Sequence, residues 1–303
     1  MPSYIQTPGT PRQFQRRELL AAVGLAMVAT GAGGGCQSRG EPAFLRLTEA
    51  RQRAAELRVA FNKAADASNL AVMADTDEAS AGYAAEAEQS KQAVQKDTDA
   101  LTALLADYGH PDEIGLLASF GKHFADYQPL DHTLLGLAVE NTNLKAQRLA
   151  FGPALDAADA FQTALESLTG SDRARVEALG LRAALAVRQV EVLHAPHIAE
   201  ADDAAMTRIE QKMSDLIAAA RDALGGLAGI VAAGSKVQLK AANDALDRFL
   251  AVHAQIVSLS RTNSNVRSLA LALGQMRGLT VQCDSSLSAL ADALANEGSK
   301  ATR

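Results

Sequence analysis

The sequence predicts an all-α protein built as two tandem up-down-up-down four-helix bundles. Three observations support this class: a helix-forming composition, a 3-4 spacing of apolar positions, and an internal repeat. Alanine makes up about a fifth of the 303 residues, whereas aromatic residues are 4% and tryptophan is absent. Alanine and leucine favour helices, and the β-branched and aromatic residues that strands prefer are scarce. The composition therefore argues against all-β folds, Val/Ile-rich parallel sheets and disordered chains.

The N-terminus has the pattern of an export signal over residues 1–36. Arg16 and Arg17 precede an apolar run at 19–30 that is too short to span a bilayer, and small residues then lead to Cys36. This arrangement resembles a bacterial lipoprotein signal, which implies that Cys36 is lipidated and anchors the chain to a membrane. Ordinary cleavage within 29–35, which leaves Cys36 free, is the alternative. Both the general and the twin-arginine export routes are compatible, and either makes the chain extracytoplasmic.

Residues 37–43 are interpreted as a polar tether, and the first bundle is predicted to occupy 44–169. Apolar and small side chains recur every three or four residues in four successive stretches, which predicts four amphipathic helices. Turn signals separate them at 75–77, 108–111 and 141–143. Pro111 suits the first position of a helix, and Asn141 or Asn143 suits an N-cap.

The pattern restarts after Gly170, which predicts a second bundle at 172–296 and a polar tail at 297–303. An offset of 122 residues superposes Asn141 on Asn263, Tyr127 on Phe249 and Leu165 on Leu287. A unit of about 120 residues with four helices is a domain in itself rather than a solenoid repeat. The two bundles are expected either to lie side by side or to stack end to end.

Two segments of the first copy resemble the extracytoplasmic four-helix-bundle sensory module of bacterial methyl-accepting chemotaxis receptors. They are Phe120, Phe124 and Tyr127 on the third predicted helix, and the Ala/Asp-rich stretch 151–159 on the fourth. The resemblance implies sensing of a small-molecule ligand, or docking to an envelope receptor protein, without catalysis. The chain differs from those receptors because it doubles the bundle and lacks their transmembrane and cytoplasmic signalling parts. A longer two-storey helical sensor is a second relative, but that module nests its helices, whereas tandem copies are expected here.

Polar residues on the apolar stripes are the candidate ligand-binding residues. Asp131 and His253 occupy equivalent positions in the two copies, and Asp97 and Arg148 also fall on stripes of the first copy. Counting back from the turn at 141–143 puts Asp131 and Arg148 about one helical turn apart in height, so they are expected to pair. Such a pair either lines a ligand pocket or fixes the register of the bundle. The alternative is that these side chains lie at the stripe edge and reach solvent.

A second candidate is a transition-metal site formed by His194, His197 and Glu200. Two histidines three residues apart, followed by a carboxylate, have the donors and spacing for such an ion. The alternative is a helix C-terminus with favourable histidines, followed by acidic residues that open the next helix. A metal is the only cofactor that the sequence leaves open.

Charge and motifs limit the other functions. The net charge is −6, and no basic stripe remains once the N-terminal signal is set aside, so nucleic-acid binding is not expected. No nucleophile elbow, phosphate loop or paired catalytic carboxylates are recognisable, so the chain is not expected to be an enzyme. The sequence predicts a membrane-anchored periplasmic signal-transduction module, with a metal-binding periplasmic protein as the alternative. A homodimer is left open.

Overall fold

The computed structural model describes residues 40–107 and 109–301, and it is all-α, as predicted. The α-helices in this part of the chain are α1 (Gly40–Met73), α2 (Asp77–Ala106), α3 (Pro111–Glu140), α4 (Thr142–Leu149), α5 (Leu155–Glu166), α6 (Arg173–Ala199), α7 (Asp203–Ala228), α8 (Lys236–Thr262), α9 (Ser264–Leu271) and α10 (Arg277–Ala301). The predicted signal 1–36, with Cys36, lies outside the described residues. No described helix has the length and apolarity needed to cross a membrane.

The helices form two four-helix bundles, each of which takes its fourth helix from the other repeat. The segments α4 and α5 together form the fourth helix of the first repeat, and α9 and α10 form that of the second. In the first bundle, α1, α2 and α3 pack with α9 and α10. In the inserted bundle, α6, α7 and α8 pack with α4 and α5. Each bundle still alternates up and down, because the exchanged helices run in equivalent directions.

The predicted domain boundaries are therefore wrong, although the predicted helices are present. The fourth helix of the first copy, at 142–166, joins the core of the inserted bundle, and the last helix returns to the first bundle. Residues 142–263 are thus inserted between the two parts of the first bundle. The helices are therefore nested and do not form the tandem copies that the sequence predicted. Helix α1 also begins at Gly40, inside the predicted tether, and α10 extends into the predicted tail.

One left-handed residue at the end of each third helix explains why each fourth helix packs in the other bundle. Asn141 separates α3 from α4 with φ 49°, and Asn263 separates α8 from α9 with φ 56°. Asparagine tolerates this backbone region better than most residues. One residue bends the chain but does not form the loop of several residues that lets two helices pack antiparallel. The turn predicted at 141–143 is instead a bend that sends α4 away from α3.

The two bends meet in a buried polar joint that repeats about a pseudo-two-fold axis. The backbone N–H of Thr142 donates to Oγ of Ser264 at 3.0 Å, and that of Ser264 donates to Oγ1 of Thr142 at 2.9 Å. The N–H groups of Asn143 and Asn265 likewise donate to each other's side-chain oxygens, both at 3.1 Å. Each helix N-terminus is therefore capped by the other repeat, which satisfies amides that a helix start leaves free. These pairs confirm the offset of 122.

Each fourth helix contains a π-helical turn at the same place in the repeat, at Ala150–Ala154 and Ala272–Met276. Pro153 lies in the first turn, whereas the second has Gln275 at that position and a non-helical backbone at Gly274. Gly152 and Gly274 occupy equivalent positions in the two turns. The proline is therefore not needed for the irregularity.

The far end of the inserted bundle is closed by its two loops. Gly170 forms an isolated antiparallel bridge with Val231, and the N–H of Ala232 donates to the carbonyl of Thr169 at 2.8 Å. A Cβ at Gly170 would lie 2.5 Å from the carbonyl oxygen of Ile230, so glycine is required there. The start of α1 and the end of α10 lie at the end of the first bundle that is remote from the joint. At 1.5 Å per residue, α3 and the fourth helix at 142–166 together contain about 80 Å of helix.

Candidate functional site

The first bundle contains a buried ion pair in its core. Asp131 on α3 is fully buried, and its Oδ2 lies 2.6 Å from Nζ of Lys91 on α2. The hydroxyl of Tyr127, one turn earlier on α3, donates to Oδ1 of Asp131 at 3.2 Å. Burial and the Asp131 carboxylate raise the pKa of this phenol well above its ordinary value. The residue predicted to lie on the stripe is therefore in the core, but with a different partner.

The predicted pairing of Asp131 with Arg148 is wrong. Arg148 is on α4, which belongs to the inserted bundle, and its side chain is about half exposed, with Nη1 3.2 Å from Oδ2 of Asp77 at the start of α2. The prediction placed α3 and α4 in one antiparallel hairpin, whereas the bend at Asn141 separates them. Lys91 follows the buried Ser90 and lies four residues after Ala87. A wider apolar stripe on α2 would have included it.

A polar groove lies over the ion pair. It has a volume of about 360 Å³ and is lined by Glu88, Lys91, Gln92, Gln95, Gln128 and His132. Oε1 of Glu88 lies 2.9 Å from the Lys91 ammonium, and the Glu88 side chain is about half exposed. The lysine thus joins a buried carboxylate to one at the surface. The glutamines add amide donors and acceptors beside this charge.

The inserted bundle places a histidine pair at the equivalent level. Nδ1 of His253 on α8 lies 3.0 Å from Nε2 of His194 on α6, and both rings stack near Phe249. One of these two nitrogens carries the shared proton, so each ring restricts the tautomer of the other. Nδ1 of His194 is buried without a hydrogen-bond partner.

Burial controls the protonation of this pair. Desolvation, reinforced by the repulsion of His253 and His197, lowers the pKa of His194 to about 4. Desolvation, with a further contribution from His197, also lowers the pKa of His253. The folded protein therefore holds this pair neutral at pH 7, unlike the charged pair of the first bundle.

A network of polar side chains lies between the histidine pair and the joint. Nδ1 of His197 lies 2.8 Å from Oγ of Ser260, and its Nε2 lies 2.8 Å from Oε1 of Glu210. Arg261 donates to both oxygens of Glu210, at 2.6 and 2.9 Å. Because of these bonds, first from Arg261 and then from His197, the pKa of Glu210 is lowered. The sequence analysis missed Glu210 and Arg261, since both lie at the edges of their helix stripes.

The predicted metal ligands do not converge. His194 faces His253, His197 contacts Ser260 and Glu210, and Oε1 of Glu200 accepts from the backbone N–H groups of Ala201 and Asp202. Among the described residues, no three histidine, cysteine or acidic side chains are grouped to hold a metal ion. Glu200 fits the alternative interpretation of a helix end, whereas both histidines are buried and bond to side chains of α7 and α8.

Two further residues are placed without a binding role. Asp97 on α2 is half-buried and does not take part in the ion pairs of Lys91 with Asp131 and Glu88. Cys283 on α10 is buried in the first bundle, and desolvation raises the pKa of its thiol to about 12. Such a thiol is protonated and unreactive at neutral pH.

No protein-family model and no curated protein sequence matches the chain.

Proposed function

We propose that the chain is a non-enzymatic, lipid-anchored extracytoplasmic module of signal transduction that binds a small anionic ligand in the groove over Lys91. One observation carries this proposal: Lys91, which pairs with the buried Asp131, lines an open groove whose other lining side chains are polar. A buried ion pair often stabilises a protein no better than apolar side chains of similar volume. Its presence in the core of an Ala-rich bundle therefore favours a role in binding.

The ligand would compete with Glu88 for the Lys91 ammonium. Glu88 is about half exposed, so its interaction with Lys91 is weakened by water and salt. A carboxylate or similar anion that displaced it would meet Lys91 on one side and the amides of Gln92 and Gln128 on the other. Asp131 would keep the lysine ammonium fixed in position from below.

The architecture offers a route for a signal. Helix α3 carries Asp131 and Tyr127, and it continues through Asn141 into α4 of the inserted bundle. A shift of α3 on ligand binding would therefore act on the joint, where α4 and α9 cap each other. An envelope receptor that docks against either bundle could respond to such a change.

Thermal unfolding of the full chain tests ligand binding. The probes are the standard amino acids and the dicarboxylates from oxalate to adipate, with glucose and ribose as neutral controls. We expect at least one carboxylate to raise Tm and the sugars to have no effect. The double variant Q92L/Q128L should lose this rise, while Gln211→Leu, at an exposed glutamine of α7, should retain it. If no anionic probe raises Tm, or if Q92L/Q128L responds like the parent, the proposal is wrong.

The membrane anchor needs a separate test, since Cys36 lies outside the described residues. Mass spectrometry of the mature protein from a membrane fraction should give an N-terminal Cys36 that carries a lipid. Cys36→Ser should release the protein from that fraction. A mature N-terminus within 29–35 and a free Cys36 thiol would contradict the anchor and leave the ligand proposal to its own experiment.

A further inference from the structure

A cleft lies between α5 and α6 at the far end of the inserted bundle. It has a volume of about 470 Å³. Its floor is apolar and includes Leu165, Leu168 and Val176, and its rim carries Gln162, Glu166, Arg173 and Glu177. This volume lies within the range of small-molecule sites. The cleft is separate from the groove over Lys91, which belongs to the other bundle.

The first bundle shows what fills the equivalent place. There, Arg58 on α1 lies across α10, with its Nε and Nη2 each 3.0 Å from Oδ1 of Asp284. The offset of 122 aligns Arg58 with Gly180 and Asp284 with Gln162. The cleft therefore lies at the position equivalent to that of an arginine side chain, with its carbon stem and its guanidinium group.

The charge around the two positions also differs. In the first bundle, Arg51, Arg58 and Asp284 give a net charge of +1. In the inserted bundle the aligned positions hold Arg173, Gly180 and Gln162. Glu177 also replaces Ala55, and Glu166 replaces Ser288, so the net charge becomes −1.

We propose that this cleft binds an organic cation with a short apolar stem, of the alkylguanidinium or alkylamine class. The stem would cover the floor at Leu165 and Val176, left open by Gly180, where an added Cβ would meet nothing closer than Cβ of Leu165 at 4.0 Å. The cationic group would lie at the rim beside Glu166 and Glu177. Gln162 already accepts from Arg188 and donates to Glu166, so it orients the rim.

Calorimetric titration of the full chain with n-butylguanidinium tests the proposal, with butyrate and n-butanol as matched probes. We expect saturable binding of the cation and none of the other two. The surface variant E166Q/E177Q should weaken binding by about five- to tenfold, since it removes two exposed charge interactions. Glu49→Gln, at an exposed glutamate of the first bundle, should leave binding unchanged.

The variant G180R/Q162D rebuilds the arrangement of the first bundle inside the cleft and should abolish binding. Circular dichroism checks that it remains folded, and E166Q/E177Q decides the matter if it does not. Absence of saturable binding overturns the proposal, as does equal binding of butyrate or full binding by E166Q/E177Q. The variant Q92L/Q128L should bind the cation normally, which separates this site from the groove over Lys91.

Discussion

At core positions 122 residues apart, the first bundle holds Asp131 and the inserted bundle holds His253. The helices around them are equivalent, and so are their directions and the joint that ends them. In the first bundle, Phe61 packs edge-to-face against Phe120 and Phe124, which stack on each other, in the core that holds the Lys91–Asp131 pair. The inserted bundle instead combines Phe249 with methionines and two histidines. One scaffold thus carries a Lys–Asp ion pair in one copy and a histidine pair in the other.

The largest expected effect comes from removing one partner of the Lys91–Asp131 ion pair. Asp131→Ala leaves Lys91 without its buried partner, so we expect a loss of about 3 kcal/mol in the free energy of unfolding. The paired replacement K91M/D131L removes both charges and should lose much less. Denaturant unfolding followed by near-ultraviolet circular dichroism measures this in the first bundle, since residues 142–263 contain no tyrosine or tryptophan. Equal losses in the two variants would contradict the ion pair.

Acid should weaken the inserted bundle through its buried histidine pair. The pKa of His194 is about 4 in the folded protein against an ordinary value of 6.5. Above pH 6.5 neither state binds the proton, so the full stability is present. Between pH 6.5 and 4, His194 is protonated in the unfolded chain but not in the folded protein. The free energy of unfolding therefore decreases as the pH is lowered, by up to about 3 kcal/mol.

This pH dependence is measured by denaturant unfolding at a series of pH values with far-ultraviolet detection. Replacement of His194 by Leu should flatten the profile over this interval, whatever it does to stability at pH 7. A profile for the His194→Leu variant as steep as that of the parent would contradict the role of His194.

An intermediate effect is expected at the joint. Asn141 has φ 49°, a region that alanine adopts with strain and glycine without it. Asn141→Ala should lower the free energy of unfolding by about 1 kcal/mol or more, because the side-chain acceptor for Asn265 is also lost. Asn141→Gly should cost less than Asn141→Ala. The reverse order, measured by thermal unfolding, would argue against the left-handed bend.

The smallest effect is expected for Arg148, which the sequence analysis had paired with Asp131. Its side chain is about half exposed and that of its partner Asp77 about one-third exposed, and ion pairs open to solvent contribute little. Arg148→Ala should change the free energy of unfolding by less than about 0.5 kcal/mol in the same denaturant experiment. A loss comparable to that of Asp131→Ala would restore the sequence-based pairing.

The contrast between Asp131 and Arg148 shows what the sequence could predict and what it could not. Apolar spacing located the helices, the repeat and the core position of Asp131, because burial sets which face of a helix is apolar. It could not decide which fourth helix completes which bundle, since both present nearly the same stripe. That choice depends on the left-handed bends at Asn141 and Asn263. Lys91 and Glu210 were missed because long polar side chains lie at stripe edges and reach inward.

The exchange of fourth helices is the central claim, and cross-linking tests it directly. Arg58 on α1 lies against Asp284 on α10, whereas tandem bundles would place it beside Gln162 on α5. Cysteine pairs are introduced at 58 and 284, or at 58 and 162, in a chain that carries Cys36→Ser and Cys283→Ala. A short bismaleimide should link the 58–284 pair efficiently within monomers and leave the 58–162 pair unlinked. Efficient linking of 58–162, without linking of 58–284, would contradict the exchange and restore two tandem bundles.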